Sequence, residues 1–600
     1  MNKQNTCTNC HCQNESSQKE TFVSENPGRD CQRVGTAKFL QQDPCNIHQA
    51  VWAVTGSLGD SQCYLGVTKK VDAIQQALSE RIKKETLAIR LLPPAYTIGV
   101  SDGQLNGTDR MRFSLIGREI VNDAITEHLS ASEVQGYIAV VACDKPPVGT
   151  LAAILEHNQP AVMLSDGSIK PGEDSETNEP IDIVTCFQIA GDDDEEKKER
   201  YAMNACCGYG SCGGMFTYNT MQSFIAVLGM QPLHMVSPAS EDPRRITEFP
   251  EQLIDCVLTM TEKGITPKDI VTPASLTNAL TVAISMGGST NVALHSVEIA
   301  RAAGIDLWKE VITREEFNEL SKKVPVLVNA RPFGKYSMVD IEEKGGLQAI
   351  VQELLSHNLL DGTTLTCTGE TLQEQINRLN PPKPDGDVIH SVKKPFKKTG
   401  GLRLLKGNLA PDGGAIIKVA GVETGVENGI YKGTARVFNG EYELLGALTH
   451  TPDIFQDKDM VVIRYEGPRG APGMPEMLDP TSRITTLCRE KNITIALMTD
   501  ARFSGGSVGL VIGHVGPEAY LGGPIALIEN GDMIIVDINK CTLDCEELED
   551  EKLFAKRKDA WKKATLANKG THPLAKKVTN RLLKRMRSTA KPAIQGAGMN

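Results

Sequence analysis

The sequence predicts an α/β protein: an N-terminal α/β/α domain with a largely parallel sheet, followed by a C-terminal β-rich, barrel-like domain. Three observations carry this reading. From about residue 95, short apolar runs rich in β-branched residues alternate with longer amphipathic segments, the pattern of strands joined by helical crossovers. The stretch "NPPKPDGDVIHSVKKPFKKTGG", residues 380–401, is rich in Pro, Gly and Lys and breaks that alternation. Beyond it come short strand-like runs punctuated by glycine turns.

In chain order, residues 1–36 are polar and rich in Ser, Asn and Gln, and are expected to be a disordered leader. Their "CTNCHC" cluster (Cys7, Cys10, Cys12) lacks a second Cys/His pair at zinc-finger spacing and is assigned no role. An N-terminal domain is placed at 37–385 and a C-terminal domain at 386–600. "YTIGV" (96–100), "GYIAVVA" (136–142) and "PAVML" (160–164) read as strands, whereas "RFSLIGREIVNDAITEHL" (112–129) and "TNALTVAIS" (277–285) carry apolar residues at helical spacing. In the second domain, "GAIIKVAG", "GTARVFNG", "DMVVIRYEG", "ITIALMTD" and "PIALIENGDMIIVDI" read as strands with their turns.

Composition excludes several classes. No apolar run approaches the roughly 20 residues that cross a bilayer, so no membrane role is expected. A net charge of -11 opposes a phosphate backbone, and the locally basic tail from Lys552 to Arg587 reads as a solvated helical face, so nucleic acid is not an expected partner. The first fifty residues balance acidic against basic side chains and lack an apolar core, which argues against a secretory signal and gives no clear targeting peptide. Mitochondrial and cytoplasmic residence both stay open. Sixteen cysteines without regular spacing in such a chain point to reduced thiols or metal ligands.

The chemistry-bearing residues cluster where strands are expected to end. "TIGV" runs into Ser101 and Asp102, "IAVVA" into Cys143, Asp144 and Lys145, "MVVIRY" into Glu466, and "TIALM" into "TDARFSGGS". Turns are polar in general, so no single exit marks a site; their residue types do, since parallel sheets bind ligands beyond the carboxyl ends of their strands. In "CDK" a thiolate suits a soft metal and the neighbouring carboxylate a hard one. A lysine there is expected to lose its proton readily and take up carbon dioxide as an anionic carbamate. "CCGYGSCGGM" surrounds Cys206, Cys207 and Cys212 with glycines, but does not follow ferredoxin spacing.

"TIGVSDG", "CDKPPVG", "SIKPG" with "PIDIV", "CCGYGSCGGMFTYNTM", "MGGSTNVALH", "GNLAPDGGAIIK", "VVIRYEGPRGAPGMPEM", "TDARFSGGSVG" and "GHVGPEAYLGGPIA" together resemble the dihydroxy-acid dehydratases, within the family that includes sugar-acid and 6-phosphogluconate dehydratases. The resemblance runs from about residue 36 to about 560. It implies a hydro-lyase that converts 2,3-dihydroxy-3-methyl carboxylic acids to 2-oxo acids in valine and isoleucine biosynthesis, with a swivelling-type C-terminal domain and a homodimeric state. The alternatives are a sugar-acid dehydratase and a non-catalytic relative. A [2Fe-2S] cluster on Cys45, Cys143 and Cys212 is implied, together with Mg2+ on Asp102, Asp144, carbamylated Lys145 and Glu476, and Ser504 as base. Glu466 is expected to give outer support, and Cys207 to be a small buried residue.

This chain departs from the pattern in four places. The connection from Cys45 to Asp102 is longer than the family's, which makes Cys63 an alternative third ligand. "CDKPPVG", "LSDGS" and Ala501 replace the usual family residues and are expected to line the pocket entrance. From them the sequence reads as a divergent copy, less sensitive to an inhibitor of the ordinary enzyme.

Overall fold

The structure is a computed structural model that describes residues 26–599 except 191, 193 and 420–424. Cys7, Cys10 and Cys12 lie outside the described residues. Within the segment expected as a leader the chain is already helical: Pro27–Phe39 starts on an Asn26 cap whose side chain accepts from the Arg29 amide.

The first sheet is parallel. β1 (Ala50–Leu58) pairs with β2 (Ile89–Leu91), β3 (Ala95–Ile98) and β4 (Val134–Val141), and β5 (Ala161–Ser165) adds to β4. The helices Val67–Glu85 and Phe249–Lys263 cover one face. β1 and β4 are buried almost end to end, which explains their continuous apolar runs: a parallel strand with helices on both faces has no wet side. Gly136 opposes Trp52 across the β1–β4 pair, and a β-carbon there would stand 2.4 Å from the indole. Only glycine leaves room for the ring.

The sequence reading did not find β1. It lies in the long connection between Cys45 and Asp102 that fits the family poorly, yet it is the central strand of the sheet. An antiparallel pair, β6 (Gly172–Glu173) and β7 (Pro180–Ile181), leads into the helix Ile183–Gln188. Helices then continue to Leu379, and the linker from 380 packs back on this domain through the bridges Val328↔Ile389 and Val326↔Lys397.

The second domain is a mixed eight-stranded sheet. β8 (Leu402–Leu405), β9 (Ala415–Lys418), β10 (Ile430–Phe438), β11 (Asp459–Ile463), β12 (Ala496–Thr499), β13 (Val511–Gly513), β14 (Met533–Asp537) and β15 (Thr542–Cys545) run in the order β15-β14-β10-β11-β12-β13-β9-β8. The Lys406↔Thr542 bridge brings the β8 end of the chain against β15, so the sheet curls almost closed around its own apolar core. The α/β and barrel-like architecture expected from the sequence is therefore present in both halves. The tail helix Glu551–Ala567 buries none of its residues.

Candidate active site

The loops that leave β1, β3 and β4 at their carboxyl ends converge. Tyr64, after β1, donates its hydroxyl to the Val100 carbonyl at 3.0 Å, tying the Cys63 turn to the turn that bears Asp102. Gly59 and Gly99 both lie against the Tyr64 side chain, where a β-carbon would come within 2.4 Å of the ring and 2.3 Å of the hydroxyl oxygen respectively. Cys143 follows β4 with φ +61°, a left-handed conformation rare for a side chain of this kind, and its amide donates to Ser211 Oγ at 2.9 Å. That bond joins "CDK" to the glycine-rich loop of Cys212, whose carbonyl accepts from Asn219 Nδ2 at 2.7 Å.

Cys63, Cys143 and Cys212 face one cavity of about 140 Å3 between the two domains. The Cys143 thiol touches that of Cys63; this contact, together with burial, pushes the Cys143 pKa well above the ordinary thiol value. Cys212 is pushed up mainly by burial, with the Asp144 charge adding to it. Three thiols that share one cavity form a sulfur donor set, which suits iron or another thiophilic ion.

Carboxylates occupy the adjoining wall. One oxygen each of Asp102, Asp144 and Glu476 lies within 4.8 Å of the other two, a spacing that a hard divalent cation fits. Lys145 Nζ stands among them, 2.5 Å from Asp102 Oδ2, 3.5 Å from Asp144 Oδ2 and 3.7 Å from Glu476 Oε1. Asp102 Oδ1 is buried without a hydrogen-bond partner among the described residues. Burial would raise the Asp102 pKa, but the charges of Lys145 and Arg502 outweigh it and hold the group low. Asp144 goes the other way, to about 7, because burial and its two acidic neighbours outweigh Lys145.

For Lys145 the sequence expectation fails without a metal. Burial and Arg502 lower its pKa, yet the three carboxylates win and the net shift is upward. A cation that takes over those carboxylates would remove the opposing pull, and only then does deprotonation, hence carbamate formation, become favourable.

The second domain supplies Glu476, Leu478 and Ser504 to the same cavity. Glu476 Oε1 accepts from Asn291 Nδ2 at 2.9 Å and from Arg502 Nη1. Arg502 is fully buried and also donates from Nε to the Met474 carbonyl at 2.7 Å. Ser504 sits where the backbones of the two domains nearly touch, for a β-carbon on Gly505 would lie 2.6 Å from Phe216 Cα. Ile183, Val184, Phe187, Phe216 and Leu478 form an apolar part of the remaining wall, and Gln62, Gln104, Asn106 and Asp182 a polar part.

Several expected residues are elsewhere. Cys45 lies in the short helix Pro44–His48, which precedes β1, so it belongs to the opposite end of the sheet from Cys143; Cys63 is the thiol that reaches the cavity. Glu466 does not face the metal carboxylates. It accepts from the Glu441 amide and pairs with Lys576 Nζ at 2.5 Å. Cys206 lines the cavity, but Cys207 is exposed where a buried residue was expected. The departures expected at the pocket entrance are not there: Pro146 and Pro147 open a buried helix, Asp166 pairs with Lys70 at 2.6 Å, and Ala501 lies in an apolar cluster of the second domain. Sequence reasoning passed over Arg502 and Asn291. Arg502 stood in view inside "TDARFSGG", two positions before Ser504.

Comparison with known proteins identifies the family. Residues 69–375 match the profile described as dihydroxy-acid/6-phosphogluconate dehydratase N-terminal, and residues 387–597 match its C-terminal counterpart. The chain is 40% identical to the chloroplastic dihydroxy-acid dehydratase of Arabidopsis thaliana over 79% of its own length and 76% of the relative's. It is 41% identical to the mitochondrial dihydroxy-acid dehydratase of Saccharomyces cerevisiae over 78% of each chain. With the dihydroxy-acid dehydratase of Flavobacterium psychrophilum it shares 40% identity over 79% of its own length and 83% of the relative's. On the strength of both matched halves and of relatives this similar over most of their length, the chain belongs to the dihydroxy-acid/6-phosphogluconate dehydratase family.

Proposed function

We propose that this protein dehydrates 2,3-dihydroxy-3-methyl carboxylic acids to 2-oxo acids, as a step of branched-chain amino acid biosynthesis. The observation that carries the reading is one cavity that brings together the thiols of Cys63, Cys143 and Cys212, the carboxylates of Asp102, Asp144 and Glu476, the Ser504 hydroxyl and a patch of apolar side chains. A substrate with a branched alkyl end packs against Ile183, Val184, Phe187 and Leu478, whereas the hydroxylated chain of a sugar acid would set polar groups against these same side chains.

The donors fit two groups. Cys63, Cys143 and Cys212 would hold a [2Fe-2S] cluster, and Asp102, Asp144, Glu476 and carbamylated Lys145 would hold Mg2+. When bound, these supply Lewis acidity toward the C3 hydroxyl and toward the substrate carboxylate with its C2 hydroxyl.

The chain's own part is positional and acid-base. Ser504, as its alkoxide, takes the C2 proton at Oγ; the C–H electron pair forms the C2–C3 double bond as the C3–O bond breaks, the departing hydroxide takes the proton back from Ser504 Oγ and leaves as water, and the enol moves its hydroxyl proton to C3 to give the ketone. Arg502 and Asn291 fix the Glu476 carboxylate, so that its charge is pre-oriented before substrate arrives. The apolar wall keeps bulk water from the enol.

The test is turnover after anaerobic reconstitution with iron, sulfide and Mg2+. Formation of 3-methyl-2-oxobutanoate from 2,3-dihydroxy-3-methylbutanoate, well above any activity on pentonates or hexonates, is expected. Preference for a sugar acid would reverse the assignment, and iron-loaded protein inactive on every substrate would leave a binding role.

A further inference from the structure

A second cavity, of about 530 Å3, opens at the amino-terminal edge of the first sheet. Its walls come from the chain just before β1, from β2, and from the starts of β4 and β5, whereas the catalytic loops leave the other ends of these strands. β1 has nine residues, so the two cavities are separated by roughly 30 Å of strand at about 3.3 Å per residue. Two guanidinium groups share this space: Arg33 from the helix Pro27–Phe39 and Arg90 from β2. Among the described residues neither makes an ion pair or a side-chain hydrogen bond, and Arg90 Nε is buried without a partner. Burial first, and then the Arg33 charge, lower the Arg90 pKa, against a weaker opposing pull from Glu133.

The amides around them point the same way. Gln49, Gln135 and Gln159 line the cavity, each with two N–H donors. The acid among the lining residues is Glu133, which like the three glutamines is exposed at the rim. His48 and His157 also face the cavity, His48 lying 3.6 Å from Asp30 and His157 bonded through Nε2 to the Val134 carbonyl. Two planar guanidinium forks with Glu133 as their one acidic neighbour in the lining, ringed by amide donors, match the oxygens of an oxyanion.

We propose that this cavity is a binding site for a small oxyanion, whose carboxylate or phosphate group is held between Arg33 and Arg90. It is separate from the dehydratase site, and its occupant neutralises the two guanidinium groups.

Isothermal titration on the reconstituted full-length protein at constant ionic strength tests this, with inorganic phosphate in one arm and 3-methyl-2-oxobutanoate in the other. The oxo acid is titrated into Asp102→Asn protein, so that the catalytic cavity does not contribute. Saturable binding of one of the two is expected, weakened at least tenfold by Arg33→Gln and by Arg90→Gln and not reproduced by chloride. Equal affinity in both arginine variants, matching binding of chloride, or no binding in either arm overturns the proposal. A thermal readout guards against a merely structural role. Without anion, Arg33→Gln removes a like charge and should unfold at the wild-type temperature or above it; a marked fall also overturns the proposal.

Discussion

Cys63 and Cys45 divide the chemistry of the site from its surroundings. Cys63→Ser removes a thiol that touches Cys143 and is expected to abolish the visible absorbance of the reconstituted cluster, whereas Cys45→Ser leaves it intact. Absorbance spectra of the two variants beside wild type check this. Arg502→Gln takes away the charge that holds Glu476 and helps keep Asp102 ionised, so weaker Mg2+ binding and a loss of about 100-fold or more in kcat/KM are expected from steady-state kinetics across a Mg2+ series. Ser504→Ala should lower kcat by about 100- to 10,000-fold with the metal content unchanged, the range of a lost proton acceptor. At this scale "CDK" was legible because its three functional side chains are consecutive. Cys63 was less so, because "PCNIH" imitates a ligand motif and only the path of β1 reveals that it starts at the wrong end of the sheet. Arg502 escaped because its role depends on Glu476, which is distant in sequence and close only after folding.

Elements show the same division between local pattern and long-range placement. The strands after residue 95 were legible because each is a short apolar run bounded by turns. β1 was not, although it is the central strand of its sheet, because its neighbours are set by crossover connections that no local period encodes. The seam between the helix Glu441–His450 and the end of β11 has its own pH behaviour. Burial, and next the Glu466 charge, raise Glu441 to about 8, with Lys576 opposing them. An acid whose folded pKa exceeds its unfolded value binds more protons when folded, so stability falls as pH rises from the ordinary carboxylate range to about 8 and levels off beyond it. Glu441→Gln is expected to flatten that decline and to unfold at a higher temperature than wild type at pH 8. Melting curves between pH 5 and 9 measure it.

For the molecule as a whole, the cavity exists only because two domains meet: the first brings the thiols and two carboxylates, the second brings Glu476 and Ser504. Two-domain organisation was readable from the Pro-, Gly- and Lys-rich break at 380–401; the closeness of the domains at Gly505 and Phe216 was not, since it rests on the absence of a side chain. The end of the chain reinforces the union. Arg118 Nη2 donates to the Gly596 carbonyl at 2.8 Å, the Met599 amide to Glu119 Oε2 at 2.9 Å, and Trp308 Nε1 to the Ile594 carbonyl at 3.0 Å. Removing residues 591–600 would strip these bonds and leave Arg118 buried without one of its acceptors, so faster proteolytic cutting near residues 380–401 and loss of turnover are expected together.

The ammonium of Lys145 has one further consequence. Three acidic oxygens crowded into an enclosed space would ordinarily burst apart or stay protonated until an ion came to their aid, yet here the chain brings its own positive tenant. An ammonium built into the chain therefore offsets part of the acidic charge on this wall, and a divalent cation bound there would take over that task.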